Sequence, residues 1–162
     1  MSQLPLPVRV VGCGSLHGDD AVGWVVVEAL GPRAGVSVHR VEGGAQLLDL
    51  LDGRGSVLLV DAVRSGAAPG TVHRLAWPSS ALVALRPGST HDLGVAAALE
   101  LAATLGTLPE RVIAFGIEAE RLDPGTGLSA AVAASVPRVV AALGAELEGR
   151  TSRCTSTRSC AR

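Results

Sequence analysis

Val8-Arg9-Val10-Val11-Gly12-Cys13-Gly14-Ser15-Leu16-His17-Gly18-Asp19-Asp20 is the stretch from which the architecture follows. Val8 to Val11 is a short β-rich run that ends in glycines. From Asp20 to Leu30, Val22, Val25, Val26, Ala29 and Leu30 recur at helical spacing. The segment therefore predicts a strand, a glycine loop and a helix.

Working outward, Val36 to Val41 alternates as a second strand, and a short helix is expected around Ala45 to Leu51. Val57-Leu58-Leu59-Val60 is uniformly apolar, as a central strand buried on both faces must be, and is expected to stop at Asp61. Turn residues Arg64 to Gly70 separate it from an alternating run, Thr71 to Ala76, which predicts a hairpin and an antiparallel strand. A loop from Trp77 to Thr90 leads to a helix over Leu93 to Leu105, with Ser89 or Thr90 available as its cap. Arg111 to Ile117 reads as the last strand and Leu128 to Leu147 as the last helix. The order predicts a three-layer α/β/α sandwich around a mostly parallel, mixed five-stranded sheet. One domain over residues 1–148 and a disordered tail over 149–162 are expected.

Composition narrows the partners. The 162 residues carry 14 basic and 15 acidic groups, a net charge of −1, so no general field draws the chain to nucleic acid or anionic lipid. All basic residues are Arg, Tyr is absent and aromatics make up 2%, which leaves little material for base stacking. The start lacks a basic n-region and is broken by Pro5 and Pro7, and the apolar runs are too short or too interrupted to span a bilayer, so a cytoplasmic protein with no membrane partner is expected. Cys13, Cys154 and Cys160 have no disulfide spacing and read as free thiols.

Open α/β sheets place their working groups beyond the carboxyl ends of the parallel strands. Strand one delivers Asp19 and Asp20 there, strand two Glu42, strand three Asp61 and strand five Glu118. The return of the antiparallel strand brings Ser89-Thr90-His91-Asp92 back over the same edge. Asp19 at a helix start reads as a cap, whereas a second acid beside it adds repulsion without a second cap. Asp20, Asp61 and His91 then form a borderline-hard donor set, suited to nickel, zinc, iron or manganese, with positions left open. His17, His39 and His73 read as solvated or hydrogen-bonded groups, and only His17 lies close enough in sequence to compete.

Gly12-Cys13-Gly14 and Glu42 also offer a nucleotide-binding reading of a Rossmann-like domain. A pyrophosphate on that helix start would meet Asp19 and Asp20, at about 4 kcal/mol of repulsion per close pair at intermediate dielectric. The acids favour a cation. No G-x-S-x-G elbow and no H-E-x-x-H helix is present.

Four ordered motifs, Gly12 to Gly23, Val60-Asp61-Ala62, Ser89 to Gly94, and Phe115 to Glu118 with Leu122 to Ser129 after it, resemble the hydrogenase maturation proteases over roughly residues 8 to 147. The resemblance implies a cytoplasmic endopeptidase that removes a C-terminal extension from the precursor of a nickel-iron hydrogenase large subunit after nickel insertion. It assigns Asp20, Asp61 and His91 to the metal, as catalytic and nickel-recognising residues. The nickel would be carried by the substrate, with zinc or cadmium able to substitute. The alternatives are a nucleotide- or metal-binding Rossmann-like domain without peptidase activity and a nonproteolytic hydrogenase-assembly chaperone on the same fold. The loop is one residue shorter than the common family form, Ser15 stands where Asn is usual, and Ala21 replaces a frequent Gly.

Overall fold

The computed structural model describes residues 3–81 and 93–149. Five strands, β1 (Val8–Cys13), β2 (Val36–Val41), β3 (Ser56–Val63), β4 (Val72–Ala76) and β5 (Arg111–Glu118), form one sheet in the order β2-β1-β3-β5-β4. All neighbours are parallel except β4 and β5. The described helices are α1 (Val22–Leu30), α2 (Gly44–Asp49), α3 (Val95–Leu105) and α4 (Ala130–Glu148), and a 3-10 turn over Gly18–Ala21 precedes α1.

Strand alternation splits the core into two layers. Val8, Val10, Leu58, Val60, Ile113 and Phe115 pack with Val22, Val26, Val139 and Leu143 of α1 and α4. Val11, Leu59, Val63, Val112 and Ala114 pack on the other face with Leu47 of α2 and Ala98, Leu99 and Ala102 of α3. The expected α/β/α sandwich is therefore observed. By length and composition α4 alone among the described residues suits a membrane crossing, yet its Val132, Val139 and Leu143 are buried in the first core layer.

Several boundaries move for identifiable reasons. The apolar spacing predicts the first helix from Asp20, but the chain makes the 3-10 turn first and α1 starts at Val22. β3 does not stop at Asp61: its register with β5 runs from Ser56↔Arg111 to Val63↔Glu118, so ladder bonds carry the backbone past the carboxylate. The β3–β4 hairpin is absent because β5 inserts between the two strands. β5 is buried along almost its whole length and pairs on both sides, whereas β4, whose exposure alternates, suits an edge. Gly94 holds the N-cap position of α3, which begins two residues later than expected. Ser89, Thr90 and His91, and the tail from residue 150 with Cys154 and Cys160, lie outside the described residues.

Candidate functional site

Three glycines fit the first loop to the sheet. A β-carbon at Gly14 would collide with the carbonyl oxygen of Asp20, and one at Gly12 with that of Gly23. At Gly23 it would meet the carbonyl oxygens of Cys13 and Val60. α1 therefore lies with its first turn directly on the backbone of β1 and β3, at the residue before Asp61. This contact carries the 3-10 turn, and Asp20 with it, to the carboxyl end of β3.

Asp61 shares a strand face with Leu59 and Val63, so it turns toward the layer of α2 and α3. It is only 9% exposed, and opposite it in register stands Gly116. The amide of Gly44, at the start of α2, donates to the carbonyl of Leu93 at 2.8 Å. Leu93 follows His91 by two residues and is thereby fixed at the same sheet edge, beside the end of β2. Among the described residues no three His, Cys, Asp or Glu side chains gather as a ready metal cage. The described part of the predicted set is the pair of acids.

Asp20 is half-buried, and Ser15 Oγ donates to its Oδ2 at 2.6 Å. The same hydroxyl lies 2.8 Å from Nδ1 of His17, an exposed side chain. In the sequence Ser15 stands out only as a departure from the usual Asn. A contact among positions 15, 17 and 20 of an irregular loop has no periodic signal.

Two other strand-end acids, Asp19 and Glu118, are engaged elsewhere. Asp19 is fully buried, and its carboxylate accepts from the amides of Glu120 (2.8 Å), Arg121 (3.0 Å) and Ser129 (2.6 Å) and from the Ser129 hydroxyl (2.9 Å). Burial pushes its pKa up, but those bonds outweigh it and hold the carboxyl below its ordinary value. The expected cap on its own helix is absent: Asp19 clamps the segment leading into α4.

Glu118, 2% exposed, accepts from the amides of Ser65 (2.8 Å) and Gly66 (3.0 Å) and from the Ser65 hydroxyl (2.8 Å), with His73 Nε2 at 3.4 Å. Burial again raises its pKa, and the bonds from Ser65, Gly66 and His73 bring it below the usual range. His73 thus has the hydrogen-bonded role expected of it. Glu42 is exposed at the end of β2, where its amide donates to Gln46 Oε1 at 2.9 Å. Cys13 is buried and forms no disulfide among the described residues.

Two carboxylates at the sheet edge suit a cation better than a phosphate. Residues 27–146 match the family described as hydrogenase maturation protease. The chain belongs to that family. It is 31% identical over 136 residues to the hydrogenase 2 maturation protease of Escherichia coli K12, covering 80% of this chain and 83% of the relative. It is similar in structure to the hydrogenase maturating endopeptidase HybD of E. coli, with a TM-score of 0.76 at 29% identity, over 88% of this chain and 93% of the other. The HycI maturation protease of Thermococcus kodakarensis shares the fold at 18% identity, with a TM-score of 0.67 over 89% and 94% of the two chains. The activity class of this hydrogenase maturation protease is accordingly that of an endopeptidase.

Proposed function

We propose that the chain cleaves a C-terminal extension from the precursor of a nickel-iron hydrogenase large subunit once nickel has been inserted, recognising the metal through Asp20, Asp61 and His91. The observation that carries this reading is the seating of Gly23 on the backbone of Cys13 and Val60, which brings the turn holding Asp20 onto the strand holding Asp61. The hydrogen bond from Gly44 to Leu93 supports a third donor at the same edge.

Oxygen and imidazole donors suit nickel and would also accept zinc or cadmium. Three protein groups leave coordination positions open, so the nickel centre of the precursor docks while keeping its own ligands. The metal belongs to the substrate and serves as a token that insertion is complete. The docked centre then holds the peptide to be cut against the carboxyl edge, where orientation contributes to the rate. The reaction takes place in the cytoplasm.

Alanine at Asp20, Asp61 or His91 is expected to leave unprocessed precursor in cells, read as the larger of two bands in a large-subunit immunoblot. Full processing by all three variants contradicts the proposal. Purified protein that binds the nickel-loaded precursor without shortening it would point instead to the chaperone reading.

A further inference from the structure

Asp20 is held quite differently from the acid beside it. Asp19 is surrounded by main-chain amides, whereas a side-chain hydroxyl donates to Oδ2 of Asp20, and that hydroxyl touches an imidazole. The atoms His17 Nδ1, Ser15 Oγ and Asp20 Oδ2 follow one another at 2.8 and 2.6 Å.

A serine hydroxyl has one proton. A carboxylate has none to give, so the Ser15 proton points at Asp20 Oδ2. Toward His17 the hydroxyl oxygen then accepts, and the proton in that contact sits on Nδ1 of the ring. In the neutral imidazole Nε2 is left without a proton.

We propose that Ser15 is a positioning residue for Asp20, and that His17 fixes the direction of the Ser15 hydroxyl. Together they set the orientation in which the Asp20 carboxylate meets the cation. This rests on Asp20 being a ligand of the substrate's metal, as argued under Proposed function. A lone hydroxyl rotor has three staggered positions, of which one serves Asp20. The N–H of His17, by occupying the oxygen from the other side, selects it. Partners of this kind around a metal ligand are worth about 10- to 100-fold in metal affinity. A mere loop staple would leave cadmium affinity unchanged when these bonds are removed.

The test uses the full-length protein in two measurements. In the first, long-range proton–nitrogen spectra of histidine-labelled protein are recorded at about pH 8, where an ordinary imidazole is neutral. His17 is expected with its proton on Nδ1, and Ser15→Ala is expected to shift that proton toward Nε2. Wild-type His17 with the proton on Nε2 overturns the proposal whether or not metal binds.

In the second, cadmium is titrated calorimetrically, with Asp20→Asn as the reference that must lose binding. Ser15→Ala and His17→Ala are expected to weaken cadmium by about tenfold or more. His17→Asn, whose amide N–H stands in for Nδ1–H, is expected to restore it to near wild type. If Asp20→Asn loses cadmium while Ser15→Ala and His17→Ala bind as wild type, the positioning role fails and the metal-site reading survives. If Asp20→Asn itself binds as wild type, both fall.

Discussion

The turn over Gly18–Ala21 presents two adjacent carboxylates, and the structure treats them in opposite ways. Asp19 is turned inward and spends its oxygens on three amides and a hydroxyl that tie the 120–129 segment to the first loop. Asp20, one residue on, stays half-open at the sheet edge and takes its bond from Ser15. The same division recurs at the far side of the sheet, where Glu118 is wrapped by the Ser65 and Gly66 amides. An acid at a strand end thus becomes a structural clamp when the chain curls its own N–H groups around it. Asp20 remains half-exposed at the sheet edge, with a side-chain hydroxyl among the groups that hold it.

That contrast can be broken in measurable steps. Asp19→Ala leaves four donors facing a buried gap and is expected to cost about 3–5 kcal/mol in urea unfolding. A loss below about 1 kcal/mol would mean that the clamp carries little. Gly23→Ala forces the start of α1 off β1 and β3 and is expected to cost about 1–3 kcal/mol. Because it separates the two acids, it should also slow processing beyond what lost stability explains, measured as rate per folded molecule.

Glu118→Gln is expected to cost a similar about 1–3 kcal/mol while leaving processing intact. It also tests the pH dependence. The folded-state pKa values of Asp19 and Glu118 are lowered, so each contributes stability above its unfolded value, about 3.9 for Asp and 4.3 for Glu, and loses it as the pH falls through the folded value. Stability should therefore fall as the pH drops below about 5. The fall should be shallower in Glu118→Gln by at most about 1.4 kcal/mol per pH unit, the effect of one proton. An identical slope would show that Glu118 is not held in its charged form by the fold. Asp20→Ala gives the smallest change, about 1 kcal/mol from loss of the Ser15 hydrogen bond, combined with loss of processing. A large loss of stability there would place Asp20 among the clamps.

Much of this frame is written in local patterns. The apolar run at Val57 to Val60 and the alternation over Val36 to Val41 specify strands because side-chain period and burial are linked. The acids at Asp20 and Asp61 stand out as charges beside apolar runs, although β3 continues in the core past Asp61 to Val63. Strand order has no such signature: the insertion of β5 between β3 and β4 depends on which apolar strand needs two partners, and no spacing encodes it. Nor could sequence separate Asp19 from Asp20 by fate, since the donors that claim Asp19 lie about a hundred residues away, at Glu120 to Ser129. The Ser15 and His17 contacts escaped for a different reason, since they arise from the path of a glycine loop and not from a repeat. His91, named from its loop, lies outside the described residues.

The central claim is that the acids at the sheet edge read nickel in the precursor. The most direct measurement incubates the purified protein with precursor prepared with and without nickel and weighs the large subunit by mass spectrometry. The account predicts that only the nickel-loaded precursor loses its C-terminal extension, and that Asp20→Ala leaves both forms at full mass. Equal cleavage of the nickel-free precursor, or full cleavage by Asp20→Ala, would contradict it.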